Sequence, residues 1–129
     1  MNNYKEEEIK YRLSRSTESL QDAQALIAIE SWNGAANRLY YAAYYVVVAL
    51  MVKHEIKITS RDGAKPMLGL QFVKTGRLDV RFSKIYGHLF NTRQSGDYGN
   101  FIYHSSEKIL PLLDETEQFI AAVRQLVAE

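Results

Sequence analysis

The sequence contains no cysteine and only two prolines among its 129 residues. Without cysteine, the protein can form no disulfide, no zinc site with thiolate ligands and no cysteine nucleophile. The sequence also contains no Gly-rich phosphate loop, no HExxH motif, no G-x-S-x-G motif and no EF-hand loop, and each of these marks a common enzyme or metal-binding class. No common catalytic motif therefore defines the function.

Histidine is also scarce, and the three histidines, His54, His88 and His104, lie far apart in the sequence. A metal site on a helix usually needs a second ligand three or four residues away. Glu107 stands three residues after His104, but no second pair of this kind accompanies it. We therefore predict neither a metal site nor a cofactor.

No hydrophobic run in the sequence is long enough to span a bilayer. The longest apolar stretch, residues 39–52, has 14 residues, whereas a transmembrane helix needs roughly 20. The first eight residues are polar and acidic, unlike a signal peptide. These features predict a soluble, cytoplasmic protein with no membrane partner.

The length predicts a single domain over residues 1–129, because compact domains cluster at roughly 100–150 residues. The hydrophobic fraction of 47% is ordinary for a folded protein. Apolar residues recur at steps of three, four and seven, which indicates amphipathic helices. We predict an all-α, up-and-down bundle of four long helices and one short helix, over residues 6–30, 35–54, 65–74, 79–95 and 106–127.

The helix at residues 35–54 is predicted to be central, because this segment is apolar on nearly all sides. Its run of three valines, residues 46–48, would also suit a strand, but the length of the segment favours a helix. Asn33 is predicted to cap this helix, Gly76 to end the short helix, and Gly96 to begin a turn.

The charge is divided unevenly along the chain, although the net charge is only +1. Residues 53–93 contain nine basic and three acidic residues, a charge of +6, while the rest of the chain carries −5. This division favours a basic face that binds a polyanion. The alternative is that solvated helix faces simply differ in sign.

A first candidate site lies on the predicted central helix. Arg38, Tyr41 and Tyr45 follow one another at steps of three and four residues and therefore share one face. Tyr40 and Tyr44 form a second stripe about 100° away. The alternative is a tyrosine-rich core whose hydroxyls reach the rim, which is the commoner use of tyrosine.

A second candidate site lies at the end of the fourth predicted helix, where Arg93, Gln94, Asp97 and Tyr98 follow one another closely. Here a polar, arginine-containing helix end is predicted to break into a turn that carries a carboxylate. Alternatively, Arg93 pairs with Asp97 one turn later or supplies positive charge at a helix C-terminus. The spacing alone favours these two structural roles of Arg93 over a functional one.

Three blocks of the sequence resemble, in the same order, segments of HEPN domains. These are residues 36–44 (ANRLYYAAY), 72–76 (FVKTG) and 93–98 (RQSGDY). HEPN domains are small helical bundles; many are metal-independent RNases, and others are inactive binding or assembly modules. Bacterial single-domain members are often encoded beside a minimal nucleotidyltransferase and act with it as a toxin–antitoxin pair.

The resemblance implies two groups of site residues. The residues that would act in catalysis, if the protein is active, are Arg93, Asp97 and Tyr98. Those that would bind a ligand are Asn37, Arg38, Tyr41 and Gln94. Because the central helix and the arginine segment face one cleft in the family, we expect Arg93 to contact a phosphate or a partner carboxylate, and Asp97 to orient Arg38 or Arg93.

The active HEPN RNases carry an arginine, four to six further residues and then a histidine, and this sequence lacks the histidine. Arg93 matches the arginine and Gln94 the polar residue that commonly follows it, but positions 98–100 hold no histidine. Cleavage by 2′-OH attack needs a proton acceptor with a pKa near neutrality, whereas an unperturbed tyrosine hydroxyl, the group that position 98 supplies, has a pKa of about 10. The usual HEPN catalysis is therefore not expected.

Three functions stay open. The leading hypothesis is a non-catalytic or weakly active HEPN module of a toxin–antitoxin-like system, which binds RNA, a nucleotide or a partner protein such as a minimal nucleotidyltransferase. The alternatives are a metal-independent endoribonuclease toxin that uses Arg93 and a structural helical homodimer.

We predict a two-fold symmetric homodimer, because the resemblance implies side-by-side dimers and the central helix has more apolar surface than one bundle normally covers. Light scattering at micromolar concentration should therefore give twice the chain mass of 14.8 kDa. A monomer mass would count against this prediction.

Overall fold

The computed structural model describes residues 3–98 and 102–129. The chain begins with α1 (Asn3–Ala28) and α2 (Trp32–Lys53), continues through a short helical segment, and ends with α4 (Val80–Tyr98) and α5 (Ser106–Ala128). The short segment consists of a 3₁₀ turn (Arg61–Gly63), α3 (Ala64–Leu68) and a π-type turn (Gly69–Val73). The described residues contain no strand, so the predicted all-α bundle of four long helices and one short helix is confirmed.

The helix α2 forms the centre of the bundle, and α1, α3, α4 and α5 all contact it. The whole helix, unlike the uninterrupted apolar stretch within it, is long and apolar enough to cross a bilayer, with a mean hydropathy of 1.2 in its most apolar window. However, 67% of that window is buried inside the bundle. The apolar sides of α2 are therefore covered by protein, as a central core helix requires.

Three helical segments end with one residue in the left-handed backbone region. These residues are Glu30 (φ 59°), Glu55 (φ 56°) and Gly76 (φ 80°). After Gly76, the Arg77 N–H donates to the Phe72 carbonyl at 2.9 Å, and bonds of the same pattern follow the two glutamates. This is the Schellman arrangement, which satisfies carbonyls of the last turn. The prediction that Gly76 ends the short helix is confirmed.

Two local predictions are wrong. Asn33 does not cap α2, since the residue before the helix is Ser31 and the Asn33 side chain bonds the segment that precedes α5. Gly96 does not begin a turn, because α4 continues past it to its end. A Cβ atom at Gly96 would lie 3.1 Å from the Nε2 atom of His104. The glycine is therefore needed for close packing against that ring, not for a turn.

The argument for a dimer from uncovered apolar surface is also wrong. Every residue between positions 39 and 51 is buried, except for three half-buried tyrosines, Tyr41, Tyr44 and Tyr45. A single bundle therefore covers the apolar surface of α2. The homodimer stays a prediction that rests on the family resemblance alone.

The substitution Glu30→Gly should stabilise the protein by about 0.5–1 kcal/mol, because a left-handed backbone costs a residue with a Cβ atom more than it costs glycine. Glu30 is exposed, so the loss of its side chain removes little packing. Urea unfolding measures the effect. The matched control, Glu7→Gly on an exposed face of α1, should instead lower stability by about 1 kcal/mol. Equal losses at the two positions would contradict the prediction.

Candidate functional site

Arg93 lies where α4 packs against α2, and its side chain is only 6% exposed. The central carbon of its guanidinium group lies 5.0 Å from the ring centre of Tyr40 and 5.9 Å from that of Tyr41. An arginine cation against an aromatic face gains electrostatic attraction and keeps its N–H groups available for hydrogen bonds. The two tyrosines of α2 therefore form one wall around the buried cation.

Polar partners from both helices also contact Arg93. Its Nη1 atom donates to the Tyr41 hydroxyl at 3.4 Å and lies 3.8 Å from a carboxylate oxygen of Asp97. The ion pair joins residues one turn apart on α4, as their spacing predicted. A buried charge is tolerated when it is paired and hydrogen-bonded, so these contacts explain how the guanidinium group lies inside the bundle.

Asn37 of α2 connects Asp97 to a second arginine. Its Nδ2 atom donates to Asp97 Oδ2 at 3.0 Å, and its Oδ1 atom accepts from Arg38 Nε at 3.0 Å and from Arg38 Nη2 at 2.7 Å. The Asp97 carboxylate thus faces Arg93 directly and is linked to Arg38 through the asparagine.

A third arginine, Arg61, joins the cluster, although no sequence pattern predicted it as a site residue. The guanidinium carbons of Arg38 and Arg61 lie 4.9 and 5.6 Å from the ring centre of Tyr41. Arg61 is exposed and Arg38 is half-buried. Within the part of the chain that the structure describes, neither arginine forms an ion pair. We define the Tyr41 cluster as Asn37, Arg38, Tyr41, Arg61, Arg93 and Asp97.

Tyr40 belongs to the core, whereas its neighbour Tyr41 belongs to the site. Tyr40 is 1% exposed, and its ring centre lies 5.9 Å from that of buried Tyr86. Burial raises the pKa of Tyr40, against the opposing effects of Tyr86 and Arg93. Burial also raises the pKa of Tyr86 well above its ordinary value. Neither core hydroxyl is therefore a proton acceptor at neutral pH.

None of the three histidines, all of which are described, joins the cluster. His54 packs against Phe72 at the other end of α2, and His88 stands five residues before Arg93, which is about 140° around α4. His104 is 8% exposed, and its Nε2 atom lies 2.9 Å from the Thr92 carbonyl oxygen. Since a carbonyl oxygen only accepts, this nitrogen carries the proton and donates it. His104 thus anchors the segment before α5.

The predicted site residues fall into two groups. The structure brings together Asn37, Arg38, Tyr41, Arg93 and Asp97, as the resemblance implied. Gln94 is exposed and forms no hydrogen bond or ion pair within the described residues. The side chain of Tyr98 lies outside the described part of the structure, and so do residues 99–101. Among the described residues, no group of three or more potential metal ligands occurs.

Comparison with known proteins identifies the family that the sequence blocks resemble. The model of the HEPN domain matches residues 9–126. A Thermotoga maritima protein named "UPF0332 protein" is 32% identical over 127 residues, which cover 98% of this chain and 96% of that protein. Two Methanocaldococcus jannaschii proteins, named "Putative toxin MJ0142" and "Putative toxin MJ0605", are 29% and 25% identical. The matches cover 88% and 95% of this chain, and 77% and 91% of the two proteins.

The substitution Asp97→Asn should destabilise the protein by about 1–3 kcal/mol, because it removes the negative charge that faces buried Arg93 while preserving size. Urea unfolding of this variant can be compared with Asp22→Asn, an exposed position on α1 where we expect a change within about 0.5 kcal/mol. Equal stability of the two variants would show that Asp97 does not hold Arg93.

Proposed function

Because the chain belongs to the HEPN domain family, we propose that it is a toxin-like HEPN module that binds the phosphates of RNA or a nucleotide at the Tyr41 cluster without efficient RNA cleavage. The observation that carries this proposal is the pair of arginines over one ring, Arg38 and Arg61, which form no ion pair within the described residues. Two such cations concentrate positive potential, and the planar guanidinium group suits bidentate contact with phosphate.

Accessibility supports a binding role for Arg38 and Arg61 over one for Arg93. Arg93, which matches the arginine of the family's motif, is 6% exposed and contacts Tyr41 and Asp97. By contrast, Arg61 is exposed and Arg38 is half-buried. A phosphate group can reach the latter two while Arg93 keeps its contacts. In this proposal Arg93 positions Tyr41, and the two arginines on the Tyr41 ring contact the ligand.

The chemistry of the available groups argues against efficient cleavage. No histidine stands at positions 98–100, and His104 donates from its Nε2 atom to a carbonyl group. The core hydroxyls of Tyr40 and Tyr86 have raised pKa values. Loss of a general base typically costs a factor of 10²–10⁴ in rate, so any residual cleavage should be slow.

The names of two relatives contain the word toxin, and this supports the toxin-like part of the proposal. A protein without efficient catalysis can act by occupying its target, so binding and toxicity are compatible. We further propose the partners that the resemblance implies, a second copy of this chain and a minimal nucleotidyltransferase.

Purified protein at neutral pH with EDTA should leave total RNA intact, while RNA binding should weaken steeply with salt because phosphate contacts release counterions. Arg38→Gln and Arg61→Gln should each weaken binding about tenfold or more, the effect of losing one charge-assisted contact. The control Lys108→Gln, on an exposed face of α5, should bind like the wild type. Gel electrophoresis measures the integrity of the RNA, and fluorescence anisotropy measures RNA binding.

Two outcomes would overturn the proposal. If RNA is degraded in EDTA, and both Arg93→Ala and Arg93→Lys abolish degradation while circular dichroism shows folded protein, the endoribonuclease alternative replaces it. If the wild type binds neither RNA nor nucleotides, the phosphate-binding role fails and the structural homodimer becomes the better interpretation.

A further inference from the structure

Lys65 of α3 lies across the surface of α4 at Gly87. A Cβ atom at Gly87 would stand 3.2 Å from the Cε atom of Lys65 and 3.3 Å from its Nζ atom. Gly87 is buried although Lys65 itself is exposed. The missing side chain therefore lets the lysine stem cross α4 and places its ammonium group above that helix.

Two exposed basic residues of α4 lie around this point, and one of them, Lys84, adds a second positive charge. Lys84 precedes Gly87 by three residues, and His88 follows Lys84 by four on the same face. We define the α4 basic face as Lys65, Lys84 and His88. None of the three forms an ion pair with another described residue. Glu115 of α5 lines the same cavity of about 380 Å³ as Lys84 and His88, so one carboxylate lies next to the basic face.

The acidic residues of this region are few, and two of them have other roles. Residues 61–98 contain seven lysines and arginines but only three aspartates. Asp79 accepts from the Arg81 N–H at 2.8 Å and so caps the start of α4, and Asp97 belongs to the Tyr41 cluster. On the face itself, the two lysines Lys65 and Lys84 outnumber the one carboxylate, Glu115, that lines the cavity beside Lys84 and His88, so the face keeps an excess of positive charge.

The short helical segment joins this face to the Tyr41 cluster. Arg61 lies in the 3₁₀ turn of that segment and Lys65 in the α3 helix that directly follows it. Arg61 contacts the Tyr41 ring, and Lys65 contacts α4 at Gly87. Positive groups thus continue from α2 across the short segment to the outer side of α4.

We propose that the α4 basic face continues the Tyr41 cluster as one path for the phosphates of single-stranded RNA, so that the ligand is a strand of several nucleotides, not a mononucleotide. This inference rests on the proposed function, since it extends the same phosphate-binding site. Lysine contacts phosphate as a mobile point charge. Contacts of this kind add affinity without reading the base sequence.

The test is a binding series with single-stranded oligoribonucleotides of one to about twelve nucleotides, measured at several salt concentrations. Wild-type affinity should rise with length, and each phosphate contact should contribute about −0.7 to the slope of log K against log salt. Lys65→Gln and Lys84→Gln should each reduce the slope by about 0.7 for the long strand and leave mononucleotide binding unchanged. Lys65→Arg should retain the slope, and the control Lys10→Gln on α1 should match the wild type.

The outcomes separate this inference from the proposed function. If Lys65→Gln and Lys84→Gln bind the long strand like the wild type while Arg38→Gln weakens binding, the site stands and the path is wrong. If the wild type binds no phosphate ligand, the proposed function itself fails. If affinity does not depend on the length of the oligoribonucleotide, the RNA path is overturned. It is also overturned if polyglutamate of matched charge binds equally well through the same lysines, a result that favours an acidic protein partner.

Discussion

A guanidinium group that is 6% exposed, as that of Arg93 is, needs a counter-charge and hydrogen-bond acceptors from the protein itself, because removing it from water costs several kcal/mol. Most of these partners come from two helices, the Tyr40 and Tyr41 rings and the Tyr41 hydroxyl from α2 and the Asp97 carboxylate from α4. The contact between α2 and α4 is therefore specified by a polar cluster as well as by the apolar core. Asp97 is constrained in turn, since its carboxylate also accepts from Asn37.

The end of α4 is also held by the segment before α5. These contacts explain Asn33, which was predicted to cap α2, and Gly96, which was predicted to begin a turn. The Asn33 side chain accepts from the His104 N–H at 2.8 Å and donates to the Ile102 carbonyl at 2.8 Å, while the His104 ring bonds the Thr92 carbonyl. Gly96 leaves the space that this ring needs. The segment before α5 is thus tied to both α2 and α4, and the helix end that carries Arg93 and Asp97 is fixed on two sides.

The sequence predicted the fold and much of the site for identifiable reasons. Periodicity found the long helices because their buried faces repeat along the chain, and the pairing of Arg93 with Asp97 followed from i,i+4 spacing. Arg61 was missed because its contact with Tyr41 depends on how the short segment packs on α2, which no local pattern encodes. The role of Gly96 was misread for the same reason, since its packing partner His104 lies beyond the end of the helix.

The distinction between a residue that matches a motif and a residue that meets the ligand follows from burial. Arg93 matches the family's arginine, yet its contacts with Tyr41 and Asp97 suit it to fix the ring on which Arg38 and Arg61 lie. A fixed ring restricts the positions of both guanidinium groups before any ligand arrives, and this lowers the ordering cost that binding would otherwise carry. Lys65 fits the same scheme, because its stem lies against α4 at Gly87 and its exposed ammonium group lies beside the surface along which the RNA strand is proposed to pass. In the proposed site, buried Arg93 positions the Tyr41 ring, and the more accessible cations contact the ligand. Loss of Arg93 would therefore affect binding through the position of Tyr41, whereas loss of Arg61 or Lys65 would remove a contact directly.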